Sequence, residues 1–205
     1  MQLRPATTLE DYLIAGRLIH EQYVKSDYIS PRSSGIYLNR YHLNRATVVV
    51  LGEDAGRVIY TLTIVPANSV DMLPSFEDFP QEVTKILEKY ADVAEQTCLA
   101  GSYVSYRKFN EFCHLVKEIC EVRFDCTLLC CHPKHETYYM KQFNAKRIAY
   151  KESISRVNCK PGSLLVIEFS NLNQKNLEEQ TLRGFWNTVY SREVPSKLNE
   201  LVTLR

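Results

Sequence analysis

Six residues, Cys126-Thr-Leu-Leu-Cys-Cys131, form a short uninterrupted apolar run between two helical patterns. An alternating strand would leave one face wet. A continuous run this short predicts a strand covered on both faces, which requires helices on both sides of a sheet. The flanking patterns supply them: Phe112, Leu115, Val116, Ile119 and Cys120 share one face of a helix over 108–123, and a shorter helix is predicted over 135–143. Upstream, the β-branched runs 46–51 and 57–65 enclose Gly52-Glu53-Asp54-Ala55-Gly56, which reads as a hairpin.

The remaining pattern completes the order. A helix is predicted over 8–22, started by Thr7 or Thr8 with Glu10 and Asp11 in its first turn, and a short helical segment over 36–43. A further helix is expected near 81–90 and a strand over 93–100. Strands near 145–155 and 163–169 precede a last helix near 174–190. The fold class is therefore α/β: a mixed sheet of about six to seven strands with helices on both faces, antiparallel in its first half and built of parallel βα units in its second. No linker is evident before about Asn171, so residues 1–170 are read as one domain and 171–205 as a helical extension packed on it.

Charge and cysteine usage exclude several functions. Twenty-five Lys and Arg face 24 Asp and Glu, with no basic block, so a nucleic-acid footprint is not expected. No apolar run approaches membrane-spanning length, roughly 18 residues. The first residues, Met1-Gln2-Leu3-Arg4-Pro5, do not resemble a signal peptide. Seven cysteines, an odd number with two adjacent, are expected as reduced thiols in a cytoplasmic protein. Cys126, Cys130, Cys131, His132 and His135 are poorly spaced for zinc, because neighbours on a strand point to opposite faces and Pro133 intervenes. No metal is expected.

Three stretches carry a resemblance to a known superfamily. They are the acidic-Gly hairpin leading through Tyr60-Thr61-Leu62-Thr63-Ile64 to Asp71-Met72-Leu73-Pro74; the strand Ala94-Glu95-Gln96-Thr97-Cys98-Leu99-Ala100; and His132-Pro133-Lys134-His135-Glu136-Thr137-Tyr138-Tyr139, closing at Phe143-Asn144-Ala145. Together they resemble the GNAT acyltransferases, and in detail the FeeM-type long-chain N-acyl amino acid synthases, with the LuxI-type acyl-homoserine lactone synthases as a neighbouring branch. Two departures stand out. Asn144-Ala145 replaces the Gly-Phe that usually closes the short helix, a position where Asn can adopt the required left-handed conformation. Tyr60 stands where the family often has Gly.

The resemblance implies central parallel strands that splay apart around an acyl thioester. It also implies an N-acyltransferase moving a medium- or long-chain fatty acyl group to the α-amine of an amino acid by direct attack. Glu95 would be the base, acting through a water, and Tyr139 the acid toward the leaving thiolate, with Tyr138 as its alternative. Backbone N–H groups of Cys98, Leu99 and Ala100 would stabilise the oxyanion. Arg32, Arg40 or Arg45 would bind the acceptor carboxylate.

Where the superfamily has a glycine loop for the pyrophosphate of coenzyme A, this chain has Ser105-Tyr106-Arg107-Lys108-Phe109-Asn110, without glycine. The expected donor is therefore the phosphopantetheine thioester of acyl carrier protein, met by Arg107 and Lys108, with acyl-CoA as the other possible substrate. No resident cofactor is expected. Two other readings stay open. One is an acyl-homoserine lactone synthase, although Thr97-Cys98 stands where those enzymes usually carry an Arg. The other is a catalytically silent module that binds acylated carrier protein or lipid.

Overall fold

The computed structural model describes residues 1–67, 72–102, 105–169, 179–193 and 195–203. Asp71 of the Asp-Met-Leu-Pro segment and positions 174–178 of the expected last helix lie outside the described residues.

Seven strands among the described residues form one sheet: β1 Gln2–Pro5, β2 Val48–Asp54, β3 Arg57–Pro66, β4 Val93–Gly101, β5 Cys126–Cys131, β6 Lys146–Ile154 and β7 Lys160–Glu168, in the order β1-β2-β3-β4-β5-β7-β6. Only β4 and β5 run parallel; every other neighbouring pair is antiparallel. The expected series of parallel βα units is corrected accordingly. β6 and β7 form a hairpin, and β7 inserts between β5 and β6, so β6 becomes an edge. β1, short and unmarked by any sequence pattern, closes the opposite edge against β2.

Two helical layers cover the sheet. One face carries α3 (Tyr106–Glu121), the end of α4 (Glu136–Phe143) and α5 (Glu179–Ser191). Phe112, Val116 and Ile119 of α3 pack with Leu62, Leu129, Leu165 and Ile167 of the sheet. Phe185, Trp186 and Val189 of α5 join this cluster, and the Trp186 indole N–H donates to the Ile119 carbonyl at 3.0 Å. The other face carries α1 (Leu9–Lys25), α2 (Pro80–Lys89) and α6 (Leu198–Thr203). No helix among the described residues is long and apolar enough to cross a membrane.

Local sequence explains the element ends. Thr8 accepts from the Asp11 N–H while Asp11 accepts from the Thr8 N–H, a reciprocal cap that fixes the start of α1. Asn144 ends α4 at φ 53°, the left-handed residue that the sequence asks for. Tyr60 fits its strand because it faces Gly101 across the β3–β4 ladder: a Cβ at Gly101 would lie 2.0 Å from the Tyr60 ring. The ring also stacks on Phe112 at 5.3 Å. The segment over 36–43 is not an α-helix; only Arg40–Leu43 turns, as a single 3-10 turn.

That turn buries His42, which is 1% exposed, against Thr63, with the Asn39 N–H donating to Nδ1 at 3.1 Å. Burial pushes the imidazole down to about 4. The folded state therefore holds this proton less tightly than the unfolded chain. The stabilisation is complete above the unperturbed value near 6.5 and is lost as pH falls toward the folded value. We expect wild type to lose up to about 3 kcal/mol relative to His42→Gln between about pH 7 and pH 4. Urea unfolding of both chains across that range measures it, and parallel curves would remove His42 as the cause.

Candidate active site

β4 and β5 pair only from Val93↔Cys126 to Gln96↔Leu129. Beyond that point β4 continues to Gly101 along β3, and β5 continues to Cys131 along β7. The two central strands thus diverge, and β4 past Gln96 has no ladder partner on the β5 side. The loss of cover shows on β5 itself. Cys126 to Leu129 are buried, whereas Cys130 and Cys131 are partly open.

A bulge in β4 coincides with this wedge. Thr63 pairs with Thr97 and Thr61 with Ala100, so two residues, Cys98 and Leu99, stand opposite Leu62 alone. Cys98 adopts φ +54° to make the extra step. The bulge reverses the facing pattern: Leu99 now meets the α3 side, while Cys98 and Ala100 pack with Ile19 of α1 on the other.

A cavity of about 820 Å³ fills the wedge and opens on both faces of the sheet, within the ~300–1,000 Å³ usual for small-molecule sites. On the α3 face its wall is mainly apolar, with Phe109, Val116, Leu129, Phe143 and Ile167, and with Gln96 and Lys117 as polar exceptions. On the α1 face it turns polar, with Tyr37, Asn39, Arg40, Glu77 and Arg156. Cys98, Leu99, Ala100 and Tyr139 line the passage, as do His132 and His135 at the end of β5.

The Glu95 side chain lies one residue before the end of the parallel ladder, only 1% exposed. Its Oε2 accepts from both the N–H and the hydroxyl of Ser75, each at 2.7 Å. Burial raises its pKa above the ordinary carboxylate range, and the Arg156 charge with the two Ser75 bonds offsets this only in part. Glu95 is not itself part of the cavity wall; Arg156, the cation whose charge acts on it, is.

Tyr139 and Tyr138 differ clearly. The Tyr138 hydroxyl donates to the Asn110 side-chain oxygen at 3.0 Å. The Tyr139 hydroxyl has no protein hydrogen-bond partner among the described residues, and burial, with Cys113 and Cys131 nearby, holds it protonated. The cysteines are all unpaired. Burial pushes Cys98 and Cys130 up to about 11, so both remain neutral thiols, a poor state for a nucleophile. Among the described residues no group of three or more His, Cys, Asp or Glu is arranged to hold a metal.

The basic residues scatter. Arg107 is exposed in the first turn of α3, whereas Lys108 is ion-paired with Asp54; neither lines the cavity. Arg32 stacks over Tyr37 at 4.5 Å from the ring centroid and stays outside the wall. Arg45 is exposed. Arg40 reaches the rim, 2.5 Å from Glu77. The guanidinium inside is Arg156, which sequence reading missed. Its only signal was an Arg beside a strand end, common on any surface.

The architecture defines a class. The structure of FeeM, an N-acyl amino acid synthase from uncultured soil microbes, superposes with TM-score 0.68 at 15% identity, covering 82% of this chain and 90% of that one. The CoA-dependent acyl-homoserine lactone synthase BjaI, with SAM and isopentyl-CoA, gives 0.62 at 13%, covering 94% and 90%. The AHL synthase LasI gives 0.59 at 13%, covering 85% and 97%. The fold is that of the GNAT-like acyltransferases.

The family follows from sequence. The family model for N-acyl amino acid synthase FeeM matches residues 14–168, so the chain belongs to that family and is an acyltransferase of the N-acyl amino acid or acyl-homoserine lactone type. No curated protein matches it significantly.

Proposed function

We propose that this enzyme transfers a medium- or long-chain fatty acyl group from the phosphopantetheine arm of acyl carrier protein to the α-amine of an amino acid. The observation that carries the reading is the cavity through the β4–β5 wedge, mainly apolar on one face of the sheet and more polar on the other. Such a passage suits a substrate pair that differs in the same way, a fatty chain entering one arm and a zwitterion the other.

In this reading the thioester carbonyl rests at the bulge, where backbone N–H groups of Cys98 to Ala100 face the developing oxyanion. The amine attacks from the polar arm. Glu95 takes its proton through water, a role supported by its burial and raised pKa. Tyr139, protonated and without a protein partner, donates to the leaving thiolate.

The donor assignment has its own support. Ser105 caps α3 through its hydroxyl, which accepts from the Lys108 N–H at 3.2 Å. The helix start that would hold a pyrophosphate is thus engaged by its own side chain and lacks glycine. Exposed Arg107 suits the acidic surface of a carrier protein; Lys108 would have to leave Asp54 to do the same.

One observation favours a second reading, the silent binding module: Glu95 is bonded to Ser75 rather than exposed in the cavity wall. Mass spectrometry of lipid extracts from cells expressing the protein separates the two. New N-acyl amino acids are expected. Thermal stabilisation by acylated carrier protein without any product would establish the silent module instead.

A further inference from the structure

Arg156 has no part in the chemistry outlined above, yet it is the charged group held deepest in the polar arm. It sits on the connection between β6 and β7, in a 3-10 turn over Ser155–Val157. Two features fix that turn. Ile154 before it is fully buried, and Asn158 and Cys159 after it adopt φ 50° and 58°, the paired left-handed residues of a tight hairpin reversal. The Arg156 side chain is therefore presented on a short, closed loop, with 24% of its surface exposed.

Its partners leave part of the guanidinium open. The Nε lies 2.8 Å from an Asp78 carboxylate oxygen. The contact is an ion pair without hydrogen-bond geometry, so it does not hold the guanidinium edge-on to that carboxylate. Among the described residues the guanidinium forms no hydrogen bond to a protein oxygen, and the Cys130 sulfur is the one side chain within its hydrogen-bonding reach. Burial opposes the charge, but the Glu95 and Asp78 carboxylates around it keep it protonated. A planar fork with no carboxylate hydrogen-bonded to it, lining a polar arm, matches a carboxylate in both shape and charge.

The three arginines that the family resemblance implies for the acceptor carboxylate are placed differently. Arg32 is stacked on Tyr37, Arg45 is exposed, and Arg40 is tied to Glu77 at the rim with 61% of its side chain exposed. Arg156 also lies close enough to Glu95 for their charges to interact, and it lines the same cavity as the β4 bulge.

We propose that Arg156 is the acceptor-recognition residue: its guanidinium binds the α-carboxylate of the incoming amino acid and rejects amines that lack one. This rests on the acyl-transfer reading above, but it is tested by binding rather than by turnover. Each proteinogenic amino acid is titrated calorimetrically into the protein saturated with a non-transferable acyl-pantetheine thioether. At least one is expected to bind, and its amide and decarboxylated amine to bind roughly 10- to 100-fold more weakly, the loss of a charge-assisted pair. In Arg156→Gln that preference should vanish. Arg156→Lys, which keeps a charge beside Asp78, should retain part of it. Because Arg156→Gln strands the Asp78 carboxylate, the double variant Asp78→Asn/Arg156→Gln is measured beside it, with circular dichroism to confirm folding. Binding of the amino acid within twofold of wild type in the folded variants overturns the proposal, as does wild-type protein that binds no amino acid or does not distinguish acid from amide. Selective binding without any transferred product would leave Arg156 its role and remove the transfer reading instead.

Discussion

Glu95→Gln should lower turnover by roughly 10²–10⁴-fold, the usual contribution of a positioned general base. The substitution keeps shape and still offers an oxygen to the Ser75 N–H and hydroxyl, both now at 2.7 Å, so the site should stay folded. Only the proton-accepting function is removed. The direction of the pKa shift adds a second readout. Since burial lifts the carboxyl above its ordinary range, the acid limb of kcat/KM should fall at a pH above that of an exposed glutamate. Activity is lost as pH drops through that limb, because the protonated carboxyl cannot accept. A decrease under threefold, or an acid limb unchanged in the variant, would take Glu95 out of the mechanism. His132 and His135, which line the passage, would then become the groups to test.

The second large effect concerns stability. Phe112→Ala should cost about 3–5 kcal/mol, the range for deleting a fully buried aromatic. Phe112 is 0% exposed and is the point where α3 seats on the sheet. It stacks on Tyr60 at 5.3 Å and covers Gly52, where an added Cβ would lie 2.6 Å from its ring. Neither neighbour can move in to fill the space: Tyr60 is held over Gly101, and Gly52 is backbone within the β2–β3 ladder. The cavity should therefore persist and the cost stay near the upper end. Urea unfolding measures it, and a loss under about 1 kcal/mol would mean that α3 docks mainly through α5 and Trp186.

Much of the framework was legible because its signals are local. The run Cys126–Cys131 marked β5 to the residue, and 93–100 matched β4 to within one. The helix between them began two residues early, at Tyr106, because Ser105 caps it there. Asn144 announced the end of α4. β1 escaped because four residues with one proline carry no period, and its strand state depends on pairing with β2 across more than forty residues of chain. The position of β7 escaped for the same reason. A hairpin reads identically whichever of its arms docks on β5.

Residue roles followed the same division. Period-2 reasoning carried past Gln96 would put Cys98 on the α3 face. The bulge spends one extra residue and turns it toward α1. Glu95 was correctly located on a central strand, but its bond to Ser75 and the Arg156 charge that acts on it arise from segments twenty and sixty-one positions away.

The sequence by itself determined most of the strands and helices, which faces are apolar, and the family to which their order belongs, since backbone preference and side-chain periodicity act over a few neighbouring residues. Only the tertiary structure decided that β4 and β5 part after Gln96, that the bulge faces the gap, and that a hairpin arginine reaches its polar end. Those outcomes depend on how distant strands and helices share the same buried surface, and no short stretch of chain encodes that competition.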